Sequence, residues 1–464
     1  MSGDIEGAAK AVPGSFRDPS GFLFERGGVL YRQVNERYRE DYELLVKSGL
    51  YRELTAANLL VEHRRADVEP PDPDVAYLVI EPERIPFISY PYEWCFSQLK
   101  AAALATIALQ RKALAFGMSL KDASAYNIQF LKGRPLLIDT LSFERYREGN
   151  PWVAYGQFCR HFLAPLCLMA YRDVRLGLLL RDHIDGVPLD LASTLMPART
   201  WLRPPVLMHL HLHARSERKY SEAEVDPGDL KDLSRKAFFA LLDSLESAVR
   251  RLRWKPEGTE WVEYYDESNY TEEAFESKIH IVGGFLKRTG AARVWDIGGN
   301  VGVFSRIAAG TGASTVCMDV DPACVERNYL RCVRDGDELV LPLVVDLFNP
   351  SPAIGWECRE RMSLPDRGPT DAVLALAVVH HLAISNNVPL DRIASFLADL
   401  GEWLIIEFVP KSDSQVARLL SVREDIFSGY TVVGFLEAFS GLFRVEDREP
   451  VGSSERVIFL MRKR

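Results

Sequence analysis

Cysteine is scarce in this chain and carries no pattern. The seven residues are Cys95, Cys159, Cys167, Cys317, Cys324, Cys332 and Cys358, with no C-x-x-C pair among them. An odd, scattered set excludes a disulfide framework and offers no zinc-ligand spacing, so reduced thiols in a cytoplasm are expected. Long apolar runs are missing too. The longest, Ala101–Leu109 and Phe162–Tyr171, are about half of the ~20 residues needed to span a bilayer, so no membrane partner is expected. The N-terminal MSGDIEGAAKAVPGS lacks the basic segment and apolar core of a secretory signal. Positive charge is in deficit, with 56 Lys and Arg against 65 Asp and Glu and a net charge of −9. A broad grip on nucleic acid or an anionic surface is therefore not expected. No internal repeat is present.

What the chain does have is globular material. Its 464 residues are 47% hydrophobic and 26% charged, enough for two or three domains of about 150 residues. Turn-forming clusters fall at Glu69–Asp74 (EPPDPD), Arg203–Pro205 (RPP) and Lys255–Gly258 (KPEG). Between the last two, Leu230–Leu252 spaces apolar residues three and four apart, which predicts a long amphipathic helix. After Gly258 the character changes. Short apolar runs (RVWDIGG, STVCMDVD, LVLPLVVD, DAVLALAVV, WLIIEFVP, FRVEDR, ERVIFLM) alternate with helical segments. This alternation predicts an open, mostly parallel α/β sheet whose last two strands form an antiparallel hairpin at one edge. The boundary is placed near residue 255.

Val294–Gly302 reads VWDIGGNVG, a glycine-rich turn at the end of the first of these strands. Small residues there let the backbone pass close to a ligand. A nicotinamide-dinucleotide turn would need G-x-G-x-x-G, and the last glycine comes one place early. The second strand ends in Asp319, at the spacing that suits a carboxylate facing two ribose hydroxyls. The third ends in Asp346, followed by Leu347. Together these positions resemble the class I S-adenosylmethionine-dependent methyltransferases, whose first motif is D/E-x-G-x-G-x-G; here it is DIGGNVG, with Asn300 where the middle glycine is usual. The resemblance covers about Trp261–Arg464. It implies that Asp296, Gly298 and Gly302 line the methionine part of S-adenosylmethionine, that Asp319 holds the ribose and that Asp346 sits by the adenine amino group, with Gly299, Asn300 and Leu347 also in the cofactor site.

The fourth strand, read as Asp371–Val379, runs into His380 and His381, where acceptor-facing residues lie in this family. Members that methylate planar amino groups carry Asn/Asp-Pro-Pro-aromatic there, and this chain does not. The acceptor is expected to be a small molecule or a protein side chain, methylated at oxygen, with His380 or His381 as the catalytic base. Neighbouring strand residues point apart, so at most one of the two is expected to face the pocket. Asn386, Asn387 and Glu407 also fall on that side, with a Glu407–Lys411 ion pair as the alternative use of the acid. Trp261, Tyr264, Tyr265, Asn269 and Tyr270 precede the first strand, where such a segment folds over the cofactor in this family.

The first half holds a second resemblance. Leu120–Phe143 places Asp122 and Asn127 five residues apart, then a hairpin at Gly133 and a second acid, Asp139. This resembles the catalytic loop and metal-binding acid of protein kinases and aminoglycoside-type phosphotransferases. It implies that Asp122 orients a hydroxyl while Asn127 and Asp139 hold magnesium. The pattern is degenerate: Leu120 stands where a histidine is usual, no glycine-rich phosphate loop exists beyond Gly27-Gly28, and Arg32 is the nearest cation to the usual lysine. His209, His211 and His213 lack a third ligand at helical spacing, so no metal site is expected.

The expected architecture is an α+β, kinase-like domain over residues 1–200, a helical linker over 201–258 and a Rossmann-like seven-stranded methyltransferase domain over 259–464. The expected function is S-adenosylmethionine-dependent methylation, with the first domain helping to select the acceptor. Two other readings stay open. One is a phosphotransferase carrying an attached methyltransferase domain, and the other a non-catalytic sensor that binds the cofactor.

Overall fold

The computed structural model describes residues 9–221, 233–256, 272–452 and 454–464. They divide into two compact units. The first comprises Met1–Trp254 with the short segment Ile354–Arg361, and the second comprises Lys255–Ala353 with Met362–Arg464.

The first unit opens on an antiparallel sheet of β1 (Lys10–Ala11), β2 (Gly21–Arg26), β3 (Val29–Asn35), β4 (His63–Ala66) and β5 (Ala76–Pro82), in the order β1-β2-β3-β5-β4. Gly27 and Gly28 close the β2–β3 hairpin with φ of +59° and +76°, the two left-handed positions that a two-residue hairpin loop requires. Helices α1 (Arg39–Lys47) and α2 (Leu50–Ala56) lie between β3 and β4 in the chain. The long α3 (Phe96–Ala115) buries most of its alanine- and leucine-rich surface. It leads to β6 (Met118–Leu120), the hairpin of β7 (Ile128–Leu131) and β8 (Arg134–Leu137), and β9 (Phe143–Arg145), which pairs with β6.

The remainder of the unit is helical, and here the expected 201–258 linker is corrected. The amphipathic helix runs over Arg235–Arg251, capped by Ser234, whose hydroxyl accepts from Ala237 N–H. It buries Phe238, Leu242, Leu245, Ala248 and Val249. Lys100 on α3 donates to the carbonyls of Arg250 and Leu252 at 3.1 and 2.8 Å. A helix with such an apolar stripe loses too much by standing free in water, so it is part of the first unit's core. Residues 230–232 lie outside the described set. The segment Ile354–Arg361 closes the same unit. Glu360 takes a two-pronged grip from Arg17, at 2.6 and 3.0 Å, and Arg361 lies 4.6 Å over the ring of Tyr126.

The second unit is a seven-stranded sheet: β10 (Arg293–Ile297), β11 (Ser314–Asp319), β12 (Val340–Val344), β13 (Thr370–Ala375), β14 (Gly401–Phe408), β15 (Phe443–Pro450) and β16 (Val457–Lys463). The order is β12-β11-β10-β13-β14-β16-β15, parallel through β14, with β16 antiparallel to both its neighbours. The terminal hairpin thus folds back so that the last strand lies inside β15. The helix Glu272–Thr289 and the strands bury Val282, Phe285, Val294, Leu374, Ile405 and Leu460 in one core. No helix among the described residues is long and apolar enough to cross a membrane.

β13 stops at Ala375, earlier than the Val379 expected. Ala377 takes φ +54°, a left-handed turn that no strand continues through. The two histidines therefore sit beyond the strand, at the start of a wide helical turn, His381–Ser385.

Candidate functional site

The site is built where β10, β11, β12 and β13 end, the place where open parallel sheets bind ligands. After β10 the chain turns through Gly298–Gly302 into the helix Val303–Ala309. Gly298 has φ +71°, and a Cβ there would collide with the side chain of Val378. Gly302, with φ +77°, caps the helix where a Cβ would run into Asn328. Asn300 has φ +50°, and Asn is among the few residues that tolerate this conformation, so the turn survives without the usual middle glycine.

Hydrogen bonds lock the acids to this turn. Asn300 N–H donates to Asp319 Oδ2 at 2.8 Å, and Asp321 N–H to Asp319 Oδ1 at 2.9 Å. Asp296 Oδ2 accepts from the Ser305 hydroxyl at 2.6 Å. Burial pushes both the Asp296 and the Asp319 carboxyls up to about 6; the charge of Asp319 adds to the effect on Asp296.

A cavity of about 390 Å³ opens over these strand ends. Of the residues singled out in the sequence, Asp296, Gly298, Gly299, Asn300, Asp319, Asp346, Leu347 and His381 line it. Gly302 and His380 do not; Gly302 supports the turn from behind. Asp346 accepts from Phe348 N–H at 2.9 Å, which fixes the loop after β12.

The turn at 381–385 separates the histidine pair. His381 faces the cavity, whereas His380 is only 2% exposed, its ring 4.1 Å from that of His381. Burial holds His380 well below the usual imidazole range, with His381, Arg456 and Lys278 pushing the same way, so it stays neutral. Asn386 joins the lining and donates to the His381 carbonyl at 3.0 Å, while Asn387 turns away and accepts from Arg423.

Glu407 does not pair with Lys411, which binds Asp425 at 2.7 Å. It is fully buried, 2.6 Å from Lys278 Nζ and 3.6 Å from Arg456, and Arg456 goes on to Asp413 at 2.7 Å. Lys278 itself lines the cavity, as does Phe304. Sequence reasoning missed both. The signal was available: in the helix Glu272–Thr289 the buried positions are Ala274, Lys278, Val282, Phe285 and Leu286, so the lysine occupies a core-facing place. Trp261, Tyr264, Tyr265, Asn269 and Tyr270 lie outside the described residues.

The histidine triplet is spent on hydrogen bonds and ring packing. His209 sits between Tyr155 and Ser244, at 2.8 Å each, and His211 between Ser193 and Thr200, at 2.7 and 2.9 Å. His213 stacks on Tyr155 with ring centroids 4.6 Å apart. Among the described residues no group of three or more His, Cys, Asp or Glu is placed to hold a metal ion.

The strand order, the glycine-rich turn and the carboxylates closing the next strands define the second unit as a class I methyltransferase fold. No protein-family model matches the chain. Over 460 residues it is 35% identical to the nodulation protein NoeA of Rhizobium meliloti (strain 1021), covering 97% of this chain and 95% of that protein, and it belongs to the NoeA family. Among solved structures it is similar to the N-methyltransferase NodS from Bradyrhizobium japonicum WM9, at 13% identity over 41% of this chain and 97% of that one, TM-score 0.31. A magnesium protoporphyrin IX methyltransferase from Synechocystis PCC 6803 with bound SAH matches at 17% identity over 44% of this chain and 92% of its own, TM-score 0.32. The bifunctional kinase-methyltransferase WbdD matches at 16% identity over 43% and 42% of the two chains, TM-score 0.31.

Proposed function

We propose that the second unit binds S-adenosylmethionine and transfers its methyl group to an oxygen of a small-molecule or protein-side-chain acceptor, with His381 removing the proton. The observation that carries this is the convergence, in one cavity, of the glycine turn, Asp319 and His381. The residues fit the cofactor. Gly298 and Gly299 put bare backbone on the cavity wall, and Asp319 presents a buried carboxylate at the end of β11 for the ribose hydroxyls. Asp346 and Leu347 would flank the adenine. The cofactor supplies a methyl group already activated by its positively charged sulfur. The chain's own tasks are to align the acceptor and to accept its proton. His381 is the imidazole that faces the cavity, with neutral His380 packed behind it. Asn386 and Gln415 add polar groups to the wall that includes His381 and suit a hydroxylated acceptor.

We assign the first unit to acceptor selection. Its sheet order, with α1 and α2 placed between β3 and β4 and the acid-bearing hairpin after α3, supports a kinase-like layout. The tests are calorimetric and kinetic. S-adenosylhomocysteine should bind the full chain, and Asp319→Ala should weaken that binding at least about 30-fold, the loss of a charged hydrogen-bond acceptor. His381→Asn should leave binding within about threefold and lower turnover about 10²–10⁴-fold. Absence of binding by the wild-type chain sinks the methyltransferase reading; normal turnover by His381→Asn sinks only the base.

A further inference from the structure

The kinase resemblance of the first unit implies a divalent cation at Asn127 and Asp139, and the residues present do not fit one. Magnesium needs near-octahedral oxygen ligands at about 2.0–2.1 Å, with carboxylate oxygens turned toward it. Both oxygens of Asp139 are engaged by the protein. Oδ1 lies 2.6 Å from Arg32 Nη1 and accepts from Leu141 N–H at 3.0 Å, while Oδ2 accepts from the Ser142 hydroxyl at 2.8 Å. Asp122 is turned inward as well. Its Oδ1 accepts from Ser124 N–H at 2.9 Å, and burial raises its carboxyl above the usual range, with the charge of Asp139 adding to the effect.

Arg32 comes from the middle of β3, opposite Ile80 on β5, and is only 8% exposed. The Arg32–Asp139 pair is itself nearly dry, with side-chain exposures of 10% and 13%. Among the described residues Arg32 Nε has no hydrogen-bond partner. Asn127 Nδ2 is likewise without a partner, so the unspent side-chain nitrogens here are donors, which want an acceptor and would repel a cation. Lys121, next to Asp122 in the chain, adds a second positive charge; its ammonium lies over the Tyr38 ring and donates to Ser20.

We propose that the Arg32 guanidinium stands in for the divalent cation at Asp139, clamping β3 to the turn after β8, so that the first unit takes no metal–nucleotide complex. A fixed internal cation of this kind holds the acid without any exchangeable ion. It makes the first unit a permanently closed module, where the resemblance alone implies a metal-loaded one.

The test uses the full chain. Manganese EPR, with and without ATP, should show no ion bound at the first unit at millimolar Mn²⁺, and MgATP should leave the unfolding midpoint unmoved. Arg32→Ala should lower the first unit's midpoint by about 5–15 °C, as expected for stripping one partner from a buried pair. Arg32→Lys, which keeps the charge but loses the planar fork, should fold and fall in between. S-adenosylhomocysteine binding should be unchanged in both, which separates failure here from failure of the methyltransferase reading. Wild-type Mn²⁺–ATP binding that disappears in Asp139→Asn overturns the proposal. So does an unchanged midpoint in Arg32→Ala.

Discussion

Asp296 and Asp319 make the cavity sensitive to mild acid in two opposing ways. In the proposed function Asp319 accepts from ribose hydroxyls, which it does strongly only as the anion, and burial raises its carboxyl to about 6. Cofactor affinity should therefore be level above about pH 7 and fall as the pH drops through 6, by up to about tenfold per unit. Stability of the empty protein runs the other way. A carboxyl whose folded value is raised above its unfolded value of about 3.9 favours folding below that pH and loses this contribution as the pH rises through 6. Calorimetry with S-adenosylhomocysteine at about pH 5 and about pH 7.5 checks the first statement, and affinity equal at both would refute it. These acids and the glycines were legible in the sequence because the motif encodes backbone geometry over a few residues. The histidine pair was not. Its orientation depends on β13 stopping at Ala375 and on the turn at 381–385, neither of which strand periodicity reveals. His381 lines the cavity and His380 does not, and a helical turn, not strand alternation, decides which.

At the scale of elements, the alternation of apolar runs locates the five parallel strands β10–β14, since buried parallel strands are continuous apolar stretches bounded by turns. The strand order and the inward position of β16 lie beyond periodicity, because they are set by long-range pairing. The helix Arg235–Arg251 illustrates the converse error. Its amphipathic pattern predicts a helix, yet the stripe of Phe238, Leu242 and Leu245 requires a partner that a linker would not supply. Leu242 has no exposed surface. Leu242→Ala should cost about 2–5 kcal/mol in denaturant unfolding of the first unit, the range for a truncated core leucine. A cost under about 0.5 kcal/mol, as for a surface substitution, would restore the linker.

For the whole molecule, the composition change after Gly258 marks the main division, which falls between Trp254 and Lys255. The return of Ile354–Arg361 to the first unit has no counterpart in composition or periodicity, because it rests on side-chain contacts between residues far apart in the chain, Arg17 with Glu360 and Arg361 with Tyr126. Glu360 is buried at 8% exposure and held by Arg17, whose guanidinium keeps its carboxyl below the usual range. A fragment ending at Trp254 lacks this acid and the cover of Arg361 on Tyr126. Urea unfolding of that fragment should show a stability about 1–3 kcal/mol below that of the first unit in the full chain, and Glu360→Ala in the full chain should reproduce part of the loss.

The displaced segment also bears on how the chain is made. Ribosomes deliver residues in order, and domains generally fold as they emerge. Here the first unit is not complete in sequence when residue 254 appears. Its last segment arrives roughly a hundred residues later, about 5–20 s at ~5–20 residues per second. During that interval Arg17 waits without its acid, and the first three strands of the second sheet are synthesised before the first unit can finish. The two units are therefore interleaved in time, and a stall or cleavage after residue 254 leaves a first unit that lacks its closing segment.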